Sequence, residues 1–285
     1  LIFPMIEMHG VTHLCGAPIV LNLLVNAPND VKVEFSQKVD VVTGGAAPPS
    51  AIIVGMERMG FRVTHAYGLT ETYGPSTYCA WQKTWEALPL EERATMMARQ
   101  GVRYPTLTEQ TVMNPDTMQP VPTDGETIGE VMIRSNTTMK GYLKNGEATE
   151  AAFEGGWFHS GDLAVVHPSG YAEIKDRAKD IIIRGGVNIA PLEIDQCLCA
   201  HPDIREAATI GVPDKVYGEK PVSFASLRPK AKASEADILA HCANFLANFK
   251  MPSELILIDD VPKNNRGKVD RKSLAELWEK NYSND

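Results

Sequence analysis

The sequence predicts a mixed fold in two parts: an α/β sheet with a small β-barrel, followed by a small, mobile α+β domain. Its length of 285 residues fits about two domains. Strands, glycine-rich turns and helices alternate early in the chain, as in an α/β sheet, and a compact α+β pattern fills the last third. We therefore predict a partial large domain over residues 1–178 and a small mobile domain over residues 179–285.

The overall composition limits the class of protein. Hydrophobic residues make up 44% of the chain and charged residues 22%, as in globular proteins that bury a full core. The net charge of −8 argues against a nucleic-acid partner. The longest apolar run, residues 18–25, is too short to span a bilayer, and no signal-peptide pattern is visible. Five scattered cysteines indicate reduced thiols, so we predict a cytoplasmic protein without a transmembrane segment.

Two strands of the predicted α/β sheet end in polar turns. Residues 39–43 form one strand, which runs into the Gly-Gly turn of residues 44–50. Residues 51–60 carry apolar side chains at helical spacing, and residues 61–64 form the next strand, followed by polar residues 65–71. Ligands of open α/β sheets bind beyond the carboxyl ends of the strands, so both turns are candidate binding segments.

Antiparallel structure is predicted for the middle of the chain. A charged helix over residues 86–100 is followed by turn signals and by a strand over residues 129–134. A short helix over residues 147–153 precedes a hairpin that turns at residues 168–170. Short strands joined in this way predict a small antiparallel barrel or sheet.

A charged and glycine-rich segment, residues 176–194, joins the two predicted domains. Its isoleucine run, residues 181–183, predicts a short buried strand. Gly185 and Gly186 permit backbone angles that other residues avoid and leave no side chain to block a ligand, and Pro191 can begin a helix. The combination indicates a seam where a ligand binds and the chain bends.

Helices and strands alternate after this seam. We expect helices over residues 191–200 and 234–249, the second with a capping box, and strands over residues 207–212, 222–227 and 255–258. A basic loop, residues 261–272, precedes a final helix.

Several polar side chains suit nucleotide chemistry. Thr70 can bond a phosphate oxygen, Glu71 can ligate Mg²⁺, and Tyr67 can stack on a base, although these residues also make an ordinary polar turn. Asp162 follows a glycine and could accept two hydrogen bonds from ribose hydroxyls, or it is a simple turn residue.

Arg177 and Lys268 can each be interpreted either as a functional cation or as an ordinary surface charge. Arg177 could assist at a ribose as a rigid donor, or it makes an exposed salt bridge of little consequence. Lys268, beside Gly267, offers a mobile cation to neutralise charge developing on phosphate or carboxylate. For Lys263 and Lys272, a solvated surface position is the better interpretation.

The order of five motifs resembles the adenylate-forming superfamily, and in particular the AMP-forming acyl-CoA synthetases. These motifs are GGAAPP, YGLTE, WFHSGDL, DRAKDIIIRGGVNIAPLEI and PKNNRGKVDRK, and the resemblance extends from about Gly44 to Leu277. The segment CAWQKTWEALPLEER, from Cys79, looks like a subgroup acting on fatty and methylthio acids. The resemblance implies an enzyme that activates a carboxylic acid with ATP to acyl-AMP and then transfers the acyl group to CoA, releasing AMP.

The resemblance also implies roles for individual residues. Those implied to bind the nucleotide, the acyl group or Mg²⁺ in the first domain are Gly44, Gly45, Ala46, Tyr67, Gly68, Thr70, Glu71 and Asp162. Tyr67 would stack on adenine, Thr70 would hold the phosphate, Glu71 would ligate Mg²⁺, and Asp162 would bind the ribose. The three residues from Gly44 would line the acyl pocket and the adenine edge.

In the second part of the chain, the resemblance implies a moving set of residues. Arg177 would complete the ribose site, and Lys179 would be the hinge. Lys268 would bridge the carboxylate and the α-phosphate during adenylation. Gly185 and Gly186 would face the active site in the second half-reaction and border the pantetheine tunnel of CoA.

One family motif is missing from the sequence. The phosphate-binding loop, a Ser/Thr/Gly-rich run ending in Pro-Lys, appears nowhere in the 285 residues. We expect it upstream of Leu1, in a missing N-terminal portion of the same enzyme, and we expect this chain alone to be poor at adenylation. Val187 stands where relatives often have Glu, and we have no functional account of that change.

Several alternatives stay open at this point. Another adenylating enzyme, such as an aryl-CoA ligase or a luciferase-like oxygenase, would share the motifs, and a non-catalytic fragment would hold AMP, CoA or a partner chain. Whether the chain forms a homo-oligomer is also open. Cys197, Cys199 and His201 look like a metal triplet, but alternate residues face opposite sides of a helix, so we interpret them as packing residues. His65 is as readily a structural histidine as a substrate contact.

Overall fold

The computed structural model describes residues 2–265 and 267–282. It divides into two units, Leu1–Lys175 and Asp176–Asp285. Two parts of the sequence-based expectations, the junction at Leu1 with an upstream segment and Arg266 in the basic loop, lie outside the described residues.

The first sheet of unit one has the strand order β1-β2-β3-β4-β5. Its strands are β1 (His13–Cys15), β2 (Val39–Gly44), β3 (Phe61–Leu69), β4 (Gly74–Tyr78) and β5 (Val102–Arg103). The first three are parallel, and the last two join antiparallel. The accompanying helices are α1 (Ile2–Met8), α2 (Pro18–Val25), α3 (Ser50–Arg58) and α4 (Leu90–Met97).

Alternation along the strands builds the core of this sheet. Val39 and Val41 of β2 are buried together with Phe61 and Val63 of β3, because alternate residues of a strand share a face. Ile53 of α3 packs in the same cluster. The predicted strands and the helix between them are confirmed.

The helix predicted over residues 86–100 is wrong in its extent. A short 3₁₀ turn, Lys83–Ala87, comes first, and α4 begins only at Leu90. Pro89 separates them, since the residue before a proline is pushed out of helical angles, and Leu88 is indeed extended. Arg93 of α4 pairs with Glu57 of α3 at 2.8 Å.

The second sheet has the strand order β10-β9-β8-β6-β7. Its strands are β6 (Glu109–Asn114), β7 (Gln119–Pro120), β8 (Gly129–Arg134), β9 (Phe158–Val166) and β10 (Ala172–Arg177), with helix α5 (Gly146–Ala152) before β9. The predicted β-barrel is wrong, because within the described part of the chain β7 and β10 lie at opposite ends of an open sheet. Closure would need β7 to pair on both sides, and Pro120 has no N–H to donate.

Unit two contains a third sheet in the order β12-β11-β14-β13, with β15 paired to β14. The strands are β11 (Ile182–Arg184), β12 (Val187–Ile189), β13 (Ile204–Asp214), β14 (Gly218–Leu227) and β15 (Glu254–Leu257). The helices are α6 (Pro191–Ala200), α7 (Glu235–Cys242) and α8 (Arg271–Asn281).

Both faces of the third sheet are covered. Ala225 of β14 belongs to one buried cluster with Ile194 of α6 and Ile238 of α7, whereas the adjacent Phe224 belongs to another with Leu274 of α8. Neighbouring strand residues face opposite sides, so helices pack on each face. The predicted α+β unit is confirmed.

Two local expectations for this unit are wrong. Helix α7 ends at Cys242 rather than near residue 249, and the Asn244 side chain bonds the carbonyls of Ala240 and His241, an alternative to continuing the helix. In the isoleucine strand only Ile182 is buried, and Ile183 is 54% exposed, because β11 alternates between its two faces.

Candidate active site

A hydrogen bond between Tyr67 and Asp162 connects the two sheets of unit one. The Tyr67 hydroxyl donates to Asp162 Oδ2 at 2.6 Å, across 95 positions of sequence. Tyr67 lies near the carboxyl end of β3, and Asp162 lies in β9 with 5% exposure. The structure therefore brings together the two side chains that the resemblance implies for adenine and ribose.

The glycine-rich turn lies at the same sheet edge as Tyr67. Gly44 ends β2 opposite Ala66 of β3, as expected for neighbouring parallel strands. A Cβ on Gly44 would lie 2.6 Å from the Ala66 carbonyl oxygen, so the pairing itself requires glycine there. Gly45 has φ of +91°, a left-handed angle that favours glycine, and Ala46 is exposed beyond it.

The segment after Ala66 is a strand rather than the predicted turn. β3 continues to Leu69 and pairs with β4, with a register shift between Tyr67 and Gly68. A Cβ on Gly68 would lie 2.1 Å from the carbonyl oxygen of Gly74, a backbone atom that cannot swing away. Gly68 therefore has a structural reason to be glycine.

Gly68→Ala is expected to lower the free energy of unfolding by about 3 kcal/mol, the upper end of the usual cost of overpacking. Gly146→Ala is the matched control, since a Cβ there meets nothing within 4 Å. Urea unfolding of both variants measures the difference. Equal stability of the two would contradict the close approach of β3 and β4.

The turn after β3 is held by Thr72, a residue that the sequence analysis did not identify. Its hydroxyl accepts from the Leu69 amide at 3.1 Å, donates to the Leu69 carbonyl at 3.0 Å and accepts from the Ser76 hydroxyl at 2.9 Å. Thr70 is exposed in the same turn. Thr72 thus fixes the turn and leaves the Thr70 hydroxyl at the surface.

Glu71 is bound to the segment before α5. Its carbonyl accepts the Met139 amide at 2.7 Å, and its Oε1 accepts the Tyr142 hydroxyl at 3.2 Å. Among residues 2–265 and 267–282, no group of three or more His, Cys, Asp or Glu residues could hold a metal. Mg²⁺ commonly takes one or two carboxylates together with substrate phosphates and water, so a single half-buried Glu71 fits such a site.

Glu130 supports the segment that carries Asp162. This strand residue is buried, accepts the Gly161 amide at 2.7 Å and contacts His159 Nδ1 at 2.9 Å. Gly161 has φ of +71°, and the ladder between β8 and β9 shifts register here. The sequence analysis missed Glu130, although a carboxylate within the apolar strand GEVMIR could have indicated a supporting role.

Four of the predicted site residues lie before α6 and are exposed, namely Arg177, Lys179, Gly185 and Gly186. The Arg177 amide donates to Asp176 Oδ1 at 2.8 Å, and Lys179 lies in a short 3₁₀ turn. Gly185 and Gly186, at φ of +58° and +82°, form the turn between β11 and β12. The Gly-Gly turn of the prediction is therefore confirmed as a hairpin.

Lys268 lies on a second hairpin, described for residues 263–265 and 267–269. The Asn264 amide donates to the Lys268 carbonyl at 2.8 Å, and the backbones of Lys263 and Val269 pair in an antiparallel β-bridge at the base of the hairpin. Lys268 is exposed, as expected for a mobile cation. The solvated position expected for Lys263 is wrong, because its Nζ donates to Glu206 Oε2 and both side chains are largely buried. Lys272 is 87% exposed at its side chain, as expected.

Several other polar residues are structural. His65 is buried, with Nδ1 2.8 Å from the Ala98 carbonyl, and burial lowers its pKa, so it stays neutral in the core. All five cysteines are free. Burial raises the pKa of Cys79 and of Cys199 to about 12, which makes both thiols poor nucleophiles.

Comparison with known proteins decides the family. A family profile described as AMP-binding enzyme matches residues 1–143, and one described as AMP-binding enzyme C-terminal domain matches residues 193–268. The chain belongs to the AMP-binding enzyme family. This confirms the resemblance to adenylate-forming enzymes drawn from the five motifs.

Individual relatives share this assignment. An acetate–CoA ligase from Humulus lupulus is 46% identical over 278 residues, which cover 96% of this chain and 49% of the relative. An acetate/butyrate–CoA ligase of Arabidopsis thaliana, named as peroxisomal, is 44% identical over 279 residues, again 96% of this chain and 49% of the relative. The chain spans about half the length of the curated relatives it matches.

Solved structures show the same fold. An anthranilate CoA ligase in complex with anthranoyl-AMP superposes with a TM-score of 0.83 at 26% identity, covering 97% of this chain and 51% of that one. The o-succinylbenzoate CoA synthetase of Bacillus subtilis, in complex with its acyl-adenylate intermediate, gives 0.75 at 26% identity, covering 96% and 52%.

The structure also bears on membrane association. Among the residues described, no helix is both long and apolar enough to cross a bilayer. A cytoplasmic location stays a prediction, since the Arabidopsis relative is named as peroxisomal.

Proposed function

We propose that the chain provides the nucleotide site and the mobile domain of an acyl-CoA synthetase, which converts a carboxylic acid and ATP to acyl-AMP and then to acyl-CoA. The observation that carries this proposal is the Tyr67–Asp162 hydrogen bond at the carboxyl edge of an α/β sheet, in a member of the AMP-binding enzyme family. Relatives named as acetate and butyrate CoA ligases support an aliphatic acid as substrate.

The first unit would bind the nucleotide. Asp162 accepts hydrogen bonds from ribose hydroxyls, and its contact with Tyr67 fixes both the carboxylate and the ring that stacks on adenine. The exposed Thr70 hydroxyl bonds a phosphate oxygen. Glu71 would hold Mg²⁺, which supplies positive charge against the phosphates.

The second unit would supply the groups that change between the two steps. In adenylation, a carboxylate oxygen attacks the α-phosphorus and the bond to pyrophosphate breaks, while the Lys268 ammonium neutralises the developing charge. In thioester formation, the CoA sulfur attacks the acyl carbon and the bond to AMP breaks. A turn of the unit about Lys179 would replace Lys268 by the Gly185–Gly186 hairpin.

We also infer that a further polypeptide region, containing a phosphate-binding loop, covers part of unit one. The parallel strands β2 and β3 bury one face, but Val42 on the other face is 42% exposed. Parallel sheets are almost always covered on both faces. The relatives are about twice as long as the matched region, which leaves room for such a cover.

Nucleotide binding and turnover together test the proposed function. Calorimetry on the 285-residue chain is expected to show binding of AMP. Pyrophosphate release with short and medium aliphatic acids is expected only in a protein that also contains the phosphate-binding loop. Turnover with aryl acids alone would instead identify an aryl-CoA ligase, and AMP binding without any turnover in the complete protein would identify a non-catalytic binding protein.

A further inference from the structure

A charged cluster with two buried carboxylates contacts the residue that follows the Lys268 hairpin in unit two. Arg271, the first residue of α8, donates from Nη2 to Asp195 Oδ2 at 2.9 Å and from Nε to the Thr209 carbonyl at 3.1 Å. Asp195 is a buried residue of α6, and Thr209 lies in β13. One guanidinium therefore connects α8 to both a helix and a strand.

Asp176 extends this cluster to the segment before the proposed hinge. It is buried, and its Oδ2 accepts the Leu192 amide at 2.8 Å, one of the N–H groups that the first turn of a helix leaves unpaired. Its Oδ1 accepts the Arg177 amide at 2.8 Å. The residues around the proposed hinge at Lys179 are thereby attached to the start of α6.

Holding these charges in the interior is costly. Burial raises the pKa of Asp195 to about 7, although Arg271 and Thr209 favour the ionised form, and burial also raises the pKa of Asp176. The charge of Asp180 also acts on Arg271, and the charge of Asp195 helps to raise the pKa of the buried Cys199 thiol. Buried ion pairs contribute little net stability, and their best-attested use is to fix one arrangement of the elements they join.

The arrangement fixed here includes the Lys268 hairpin. Asp270, directly before Arg271, donates its amide to the Pro262 carbonyl at 2.9 Å and so closes the base of the hairpin. On the other limb, Lys263 pairs with Glu206 of β13. One limb is thus anchored to α6 and β13 through Arg271 and the other to β13 through Lys263, and Lys268 is exposed between these anchors.

We propose that Asp195 is a positioning residue: through Arg271 it holds the Lys268 hairpin rigidly to α6, so that Lys268 and the hinge segment move as one body. The inference deepens the proposed function, on which the role of Lys268 rests. Without Asp195 the hairpin would lose its fixed orientation relative to α6 and would open more often.

Hydrogen exchange on the 285-residue chain tests the anchoring directly. Asp195→Asn keeps the shape of the side chain, and we expect amides of Asn264, Lys268 and Asp270 to exchange at least about 10-fold faster, with β14 and β15 unchanged. Arg271→Lys keeps the charge but cannot contact Asp195 and the Thr209 carbonyl at the same time, so we expect the same faster exchange of the hairpin amides. Unchanged hairpin exchange, or faster exchange spread evenly over unit two, would overturn the proposal.

Glu254→Gln is the matched control, because it removes the Lys220 ion pair in the same unit, between β14 and β15. It is expected to leave hairpin exchange unchanged.

In a protein that contains the phosphate-binding loop, Asp195→Asn should lower kcat for pyrophosphate release about 10-fold, with KM for ATP and thioester formation from supplied acyl-AMP unaltered. Full pyrophosphate release in Asp195→Asn, under conditions where Lys268→Ala is slowed as expected, would overturn the positioning role. Full release in Lys268→Ala would instead refute the proposed function.

Discussion

Lys268→Ala is expected to slow adenylate formation by on the order of 10²- to 10³-fold, the usual cost of removing one charge-stabilising group from a transition state. The lysine is exposed on its hairpin, so the fold should tolerate alanine. Thioester formation from supplied acyl-AMP should stay close to the wild-type rate, because the proposed second conformation does not use Lys268. Pyrophosphate release and CoA thioester formation are measured separately.

Lys272→Ala is the matched control for this variant. It removes the same charge from the same basic segment, and its only described ion pair is with Glu276 at 3.8 Å. Both half-reactions should remain at wild-type rates. An equal loss of both half-reactions in Lys268→Ala would mean that the lysine acts on the fold or on substrate binding and not on adenylation alone.

Asp162→Asn is expected to weaken AMP binding by about 10- to 100-fold. The ionised carboxylate would accept two hydrogen bonds from the ribose, and hydrogen bonds to charged groups contribute about 1.5–3 kcal/mol each, part of which asparagine keeps. The Tyr67 hydroxyl can still donate to the asparagine oxygen, so the local fold should persist. Calorimetry with AMP on the 285-residue chain gives the affinity.

Tyr67→Phe separates the two parts of this site. The ring remains available to stack, but the hydroxyl that holds Asp162 is lost, so AMP affinity should fall less than in Asp162→Asn. If AMP binds Asp162→Asn as tightly as the wild type, Asp162 is a structural partner of Tyr67 and the ribose site lies elsewhere.

Short sequence motifs predicted the helix boundaries that neighbouring residues determine. Helix α6 has the predicted bounds, since Pro191 begins it and the chain after Ala200 leaves helical angles before Pro202. The Ser234–Asp237 capping box of α7 is present as predicted. The end of α7 was missed, because it depends on how the Asn244 side chain bonds to the backbone.

Contacts between residues far apart in the sequence could not be predicted from such motifs. The open form of the second sheet depends on which strands end at its two edges. Each member of the Tyr67–Asp162 pair was identified through the resemblance, but their direct contact joins residues 95 positions apart. Asp195 looks like an ordinary helix residue until Arg271, 76 positions later, is placed beside it. Lys263 was misjudged for the same reason, because Glu206 lies 57 positions away.

The central claim is that one small domain presents Lys268 for the first half-reaction and the Gly185–Gly186 hairpin for the second. Gly186→Leu tests it most directly, since its Cβ would meet nothing within 4 Å and a longer side chain would fill the gap proposed for the thiol. Gly170→Leu, at the same φ of +82° and equally open, controls for backbone strain.

The decisive measurement is the ratio of the two half-reaction rates in Gly186→Leu and in Lys268→Ala. We predict opposite losses: at least about 10-fold slower thioester formation with normal pyrophosphate release in Gly186→Leu, and the reverse in Lys268→Ala. Loss of the same half-reaction in both variants would contradict it.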